Sequence, residues 1–359
     1  MLQFKSFACA SLILLIAQAA SVSGAPSVTV TKTPGEGAVP DAETAKDGSI
    51  HVAYVSGEDV FYVVSTNAGK TFSAPLRVNS EPGTAHPANM FRGPDLAIGQ
   101  NGRVHVIWYV NAYQRKLPPD QWGVFYAHLD PTRGGFSKAV NLNHKPSDNY
   151  SLAADEKGNV AAVWMAGAVF VNTSKNNGET FSDAERIDVA DPCECCASRA
   201  SFSPTGALMI DYRDKTANIR DMHLLVRAPG SATFAKEKIS VTPWQVTGCP
   251  MTGTFLANAG KEEIAAWETK GQISYARIDP VTGKRKTNEI KVADQGKWPI
   301  ALPGRDGSVL VSWKESSALK WQLFDAADQP SGNPGGNPSP NSTRHAGTTT
   351  RAGDFVLID

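Results

Sequence analysis

The densest chemistry in the chain is sulfur. Asp191, Pro192, Cys193, Glu194, Cys195 and Cys196 run consecutively, and a further cysteine lies in Gly248, Cys249, Pro250 and Met251. With Cys9 set aside in the N-terminal segment, the cysteine count is even: Cys193, Cys195, Cys196 and Cys249. In an exported chain the simplest outcome is two disulfides drawn from three connectivities, one of them joining Cys249 to the triple-cysteine loop. The remaining bond, within Cys193–Cys196, would then be tight and strained. Thiolates with Met90, Met251, His86 or His345 beside them would instead suit a soft metal ion, copper(I) before zinc(II). A strained disulfide could also serve redox exchange. The spacing matches no standard zinc knuckle.

A second set of residues is charged. Arg92 stands in Phe91, Arg92, Gly93, Pro94, and Arg115 is followed by Asp120. Glu194 sits inside the cysteine run, and Arg213, Asp214, Arg220 and Asp221 crowd one short stretch downstream. Such a stretch reads either as a structural Arg–Asp network or as a ligand grip.

These residues need a scaffold, and composition limits its kind. Among 359 residues, 35 Lys+Arg balance 35 Asp+Glu, which excludes a basic nucleic-acid binder. Hydrophobic residues at 41% supply a core, while 31 Gly and 23 Pro favour turns over long helices. Lys5, the apolar run from Phe7 to Ala20 and small residues up to Ala25 form the pattern of a cleaved export signal over residues 1–25. No later segment is apolar for long enough to span a bilayer. The expected mature chain, 26–359, is exported to a periplasmic or secreted location with no membrane insertion.

That mature chain repeats. A glycine turn followed by an alternating strand ends at Tyr54, Trp108, Trp164, Tyr212, Trp267 and Trp313, spaced by 46 to 56 residues, and a weaker copy from Gly353 to Ile358 closes the chain. Each full copy is followed by further strand-like segments, such as Val60 to Val64. Four short strands per repeat specify an all-β fold of radially packed antiparallel blades, a β-propeller. The count is seven blades if the last copy is real and six if it is not. Ser27 to Thr31 reads as an outer strand without a blade of its own, whose pairing with the C-terminal copy would close the ring. Residues 329–345, rich in Pro and Gly, read as a flexible loop in a loose last repeat.

Two turns share one template, Ser-x-Asn-x-Gly-x-Thr-Phe. They are Ser65, Asn67, Gly69, Thr71, Phe72 and Ser174, Asn176, Gly178, Thr180, Phe181. Asn can make an Asx turn or accept φ > 0, Gly takes the left-handed position, and Phe packs beneath the hairpin. The template resembles the Asp-box (BNR repeat) of sialidase-like propellers, with Asn in place of Asp. The resemblance covers nearly the whole mature chain and speaks to fold, because these boxes lie away from the ligand face.

The resemblance also implies a site. In a propeller the loops between blades and those joining second to third strands share one face, which would gather the cysteines with Arg92, Arg115, Asp120, Glu194, Arg213, Arg220 and Glu268. Phe91 to Pro94 resembles the sialidase Phe-Arg-Ile-Pro motif, with Gly93 replacing Ile. Asp120 would then stand for the general acid, and Glu194 with Arg213 for the glutamate and second carboxylate-binding arginine. Arginine forks grip a sialate carboxylate by bidentate bonds, and a Glu-activated Tyr is the nucleophile of such enzymes. This chain departs from that pattern. Gly296, Lys297, Trp298 and Pro299 offer no Tyr, and Lys270 stands where a third Arg is expected. An indole is no nucleophile, and Lys is not equivalent to Arg at a bidentate site.

Three functions are therefore expected. The first is a sialidase-like propeller binding a small anionic or glycan ligand through Arg92, Arg115, Arg213 and Arg220, with Glu194 and Asp120 as catalytic carboxylates of a divergent glycoside hydrolase and no required cofactor. The second is a periplasmic thiolate metal-binding (copper) or redox protein using Cys193, Cys195, Cys196 and Cys249. The third is a non-catalytic scaffold for a protein partner.

Overall fold

In a computed structural model the chain folds as an all-β, seven-bladed propeller. The structure describes residues 1, 26–88, 93–130, 132, 134–188, 191–340 and 344–359. Residues 2–25 of the expected export signal, Met90 and Arg92 thus lie outside the described residues. Blades one to six span 38–77, 95–141, 148–188, 199–238, 254–293 and 297–338. Each is an antiparallel four-stranded sheet, with an added Gly135–Phe136 pairing in blade two. Among the described residues no helix is long and apolar enough to cross a membrane.

The repeat aromatics fall where the periodicity predicts. Tyr54, Trp108, Trp164, Tyr212, Trp267 and Trp313 each occupy the second strand of a blade. In each case the residue just before pairs with the inner strand: Ala53 with Asp41, Ile107 with Asp95, Val163 with Ser151, Asp211 with Arg199, Ala266 with Phe255 and Ser312 with Ile300. Second strands such as Val104–Tyr109 and Val160–Met165 are buried along their whole length, because a neighbouring blade covers both faces. Their sequences are accordingly apolar rather than alternating, apart from the buried His105.

The two shared turns have matching hydrogen bonds. Ser65 Oγ accepts from Gly69 N (2.9 Å) and donates to Asn67 Oδ1 (2.9 Å), which also accepts from Thr71 N (2.9 Å). Ser174, Asn176, Gly178 and Thr180 repeat this at 3.0, 2.8 and 3.0 Å. The Asn makes the Asx turn, and the residue after it takes the left-handed conformation: Ala68 at φ 58° and Asn177 at φ 55°.

Closure joins the termini. Val28–Thr31 pairs in parallel with Phe355–Ile358, which pairs antiparallel with Ala346–Thr349, giving a three-stranded seventh blade. The expectation of a flexible Pro/Gly loop needs correction, since Pro330–Pro338 is the outermost strand of blade six. An edge strand needs ladder bonds on one side only, so prolines are tolerated there.

The inner strands surround a central channel, and side chains stitch them together. Asp41 Oδ2 accepts from Leu96 N (2.8 Å), Asp95 Oδ2 from Leu152 N (2.8 Å) and Ser151 Oγ from Ala200 N (2.9 Å). Arg199 spans the channel, its Nη1 donating to Asp41 (3.1 Å) and Asp95 (2.7 Å). It divides a cavity of about 670 Å3, open toward the Asp-box side and lined by Glu43, Asn258 and Thr348, from a pocket of about 30 Å3 beneath Trp298 and His345.

Candidate functional site

Two inter-blade loops meet on the face opposite the Asp-box turns. The loop into blade four is pinned to the blade-four hairpin: Cys193 N donates to Arg213 O (2.7 Å), and Lys215 N to Asp191 O (2.8 Å). A turn closes on Cys196, whose N–H donates to Cys193 O (3.0 Å). The loop into blade five crosses the same hairpin, with Arg220 N donating to Trp244 O (2.6 Å) and Val246 N to Asn218 O (3.0 Å). The hairpin from Arg213 to Arg220 is therefore the platform that brings the two cysteine loops together.

The sulfurs converge there. Cys195 and Cys249 form a disulfide, with Cα atoms 6.7 Å apart. Cys193 and Cys196 are free, buried and 3.0 Å apart at sulfur, and Cys193 lies 3.7 Å from Cys195 Sγ. All four Sγ atoms fall within 4.8 Å of one another. The expected staple from Cys249 is present, and the expected second disulfide is replaced by a dithiol. Exposure is graded, from buried Cys193 and Cys196 through half-buried Cys195 to exposed Cys249.

Guanidinium groups back the dithiol. Arg220 Nη1 donates to Cys193 Sγ (3.3 Å), while its Nε and Nη2 donate to Val246 O (3.3 Å) and Thr247 O (3.4 Å). Arg213, 1% exposed, donates to Arg220 O and Glu268 O at 2.5 Å each and stacks 5.0 Å from the Trp244 ring. The hydrogen bond from the Cys193 thiol holds Cys196 below the ordinary thiol range against the pull of burial, with Arg213 and Arg220 adding to the effect. The same hydrogen bond, with burial, pushes Cys193 up. A charge-stabilised thiolate beside a disulfide has the ingredients of thiol–disulfide exchange, and four gathered sulfurs could also hold a soft metal ion.

The charged candidates are dispersed by comparison. Arg213 Nη1 and Nη2 and the Arg220 guanidinium donate to backbone carbonyls and sulfur. Asp214 and Asp221 pair not with those arginines but with Lys236 (2.8 Å) and Lys238 (2.5 Å). Glu194 Oε1 accepts from Gly167 N (2.5 Å), bracing the cysteine loop on blade three. Arg115 and Asp120 are exposed on the long blade-two hairpin loop. His345 is bonded to Ser312 Oγ (2.8 Å) and His86 to Pro87 O (2.7 Å), and neither joins the sulfur set. Trp298 is buried at φ 55° over the channel mouth.

Sequence reasoning missed Asn149, whose side chain donates to Cys196 O and accepts from Ser198 N (3.1 Å). It also missed the Arg199 cluster. Its signal was present in the repeats, since Asp41, Asp95 and Arg199 all face the residue before a repeat aromatic.

No known protein family and no curated protein matches the sequence. Solved structures do. A protein of unknown function from Dyadobacter fermentans DSM 18053 aligns with a TM-score of 0.54 at 15% identity, covering 87% of this chain and 97% of its own. A polysaccharide lyase of family PL25, an ulvan lyase, aligns at 0.55 and 13%, covering 87% and 88%. The Hadza microbial sialidase Hz136 aligns at 0.51 and 13%, covering 77% of this chain and 63% of its own. What they share with this chain is the propeller. Chemistry is not shared by fold alone.

Proposed function

We propose that the chain is a thiol–disulfide redox protein, with a propeller as the frame and the four-cysteine centre as the working part. One observation carries this reading: a disulfide and a buried dithiol whose four sulfurs lie within 4.8 Å, on loops held by two buried arginines. Export directed by residues 1–25 would place the centre in an oxidising compartment, where a disulfide persists. Thiol counting on purified protein tests the reading. Two free thiols and one disulfide are expected, with exchange against added dithiol. Two unreactive disulfides, or four thiolates on a bound soft ion that withstands chelator, would replace it with a structural or metal-holding centre.

Binding of an anionic or glycan ligand is the second reading. Its support is the propeller shared with a sialidase and an ulvan lyase, together with exposed Arg115 and Asp120 on one loop. The engagement of Arg213 and Arg220 within the protein weighs against a carboxylate grip there. Calorimetric titration with a sialoside and a uronate oligosaccharide tests it, and loss of any binding in Arg115→Ala is the expected result.

A further inference from the structure

We infer that the two sulfur pairs form a relay, in which the disulfide migrates from the outer pair, Cys195–Cys249, to the inner pair, Cys193–Cys196, so that external dithiol–disulfide partners exchange through Cys249. This rests on the thiol–disulfide reading above and goes beyond it by assigning an order to the sulfurs and an entry point for the partner.

The order follows from geometry. Cys249 is exposed, whereas both inner sulfurs are buried and out of reach of a partner protein. A Cys195–Cys196 bond would close a strained ring between adjacent residues, so the productive first attack by Cys196 is on Cys249 Sγ, within 4.8 Å. In that step the Cys196 thiolate forms a bond to Cys249, the Cys195–Cys249 bond breaks, and Cys195 leaves as thiolate. Cys193 then attacks Cys196 Sγ across 3.0 Å, passing its proton to Cys195, and Cys249 leaves as thiolate. One disulfide, one thiol and one thiolate exist before and after, so no oxidant is consumed.

The product exposes a dithiol. Cys249 thiolate can then attack an external disulfide and expel one thiolate. Cys195 attacks the Cys249 sulfur of the mixed disulfide, passes its proton to the departing external sulfur and re-forms Cys195–Cys249. The external disulfide gains two electrons, and the chain, now holding two disulfides, has lost two. An external dithiol reverses the sequence. The partner class is a protein or small molecule with a reactive dithiol or disulfide, and Arg220, bonded to Cys193, is a positioning residue for the inner pair.

Full-length protein carrying one disulfide is treated with a bulky maleimide, and its bonds are then mapped by mass spectrometry. The relay requires label on Cys195 and Cys249 with the disulfide recovered between Cys193 and Cys196. In Cys196→Ser this labelling should fall on the order of tenfold or more. In Cys193→Ser a Cys196–Cys249 bond should accumulate with Cys195 labelled. Circular dichroism verifies the fold of each variant, and the wild-type map is decisive without them. An intact Cys195–Cys249 bond, with only slow label on Cys193 and Cys196, overturns the relay while leaving the thiol–disulfide reading standing. Two disulfides that resist added dithiol, or four thiolates on a soft ion that withstands chelator, overturn that reading itself.

Discussion

Arg220 reaches out of the blade-four hairpin so that its Nη1 lies 3.3 Å from the sulfur of Cys193, while Nε and Nη2 hold the loop that carries Cys249. One side chain thereby fixes the distance between two loops 54 residues apart at their cysteines. Its charge also favours a thiolate in the buried pair. Arg220, expected among the ligand-binding residues, here contacts the sulfur centre.

Arg220→Gln separates these roles. Loss of the charged bonds should lower stability by roughly 1.5–3 kcal/mol, the range for a hydrogen bond to a charged group. It should also slow alkylation of the inner pair, because one of the two cations that favour the thiolate is lost. Urea unfolding with the outer disulfide intact reads the first, and an iodoacetamide time course reads the second. An unchanged alkylation rate would mean that Arg220 acts on loop geometry alone.

The channel arginine makes a different prediction. Against burial, which pushes it up, the Arg199 charge holds Asp41 below the usual carboxylate range, while burial pushes Asp95 and Asp211 up to about 7. Arg199→Met leaves buried carboxyls without their cation, and breaking a buried pair in this way costs about 3–5 kcal/mol. The loss should be smaller at pH 5 than at pH 8, because the orphaned acids can then stay neutral. Equal loss at both values would show that Arg199 matters through packing on Phe255, whose ring lies 5.4 Å away.

The pH profile of stability should fall on both sides. Burial pushes Glu43 and Glu263 up to about 8. A folded-state value above the unfolded one gives stability that is full below about 4.5 and is lost as pH rises toward and through 8. Burial pulls His105 down to about 3, so its contribution is full above about 6.5 and is lost as pH falls toward 3. Glu263→Gln should flatten the alkaline limb and leave the acid limb in place. Thermal unfolding across pH 4 to 9 checks this (a survey window of about five units around the titrating groups). An alkaline limb unchanged in the variant would assign it to Glu43 or to the Asp95–Asp211 cluster.

The fold was legible because a blade writes itself locally. Glycine turns, apolar second strands and a terminal aromatic recur at each copy, so pattern alone placed Tyr54, Trp108, Trp164, Tyr212, Trp267 and Trp313 in register. The meeting of Cys249 with the triple-cysteine loop was legible for the same reason, since adjacent blade entrances are neighbours. What the pattern did not show was how each polar group is spent. Whether Arg213 faces a ligand or the carbonyls of Arg220 and Glu268 depends on the path of two irregular loops, and these have no period. Pro330–Pro338 was misleading because edge strands escape the composition rule that governs central ones.

Two glycines test the Asp-box turn against its surroundings. Gly178 has φ +80°, and a Cβ built there lies 1.8 Å from Tyr126 Oη, which is bonded to His105 Nδ1 at 2.7 Å. Gly102 has a similar φ of +72°, with nothing within 4 Å of an added Cβ. Alanine at either position meets the same left-handed backbone penalty, about 1 kcal/mol or somewhat more. Only Gly178→Ala must also displace the Tyr126 hydroxyl, break its bond to His105 and disturb the edge contact of Tyr126 with Phe181, whose centroids are 4.7 Å apart. Gly178→Ala should therefore be the more destabilising by roughly the net value of one hydrogen bond, about 1 kcal/mol. It should also raise the His105 value toward the ordinary imidazole range if local opening admits water to the ring. Denaturant midpoints of the two variants, with a proton titration of His105 by NMR, measure both effects. Equal midpoints would mean that the tyrosine yields freely and that the turn is held by its own Ser174–Asn176–Thr180 bonds, without support from the neighbouring blade.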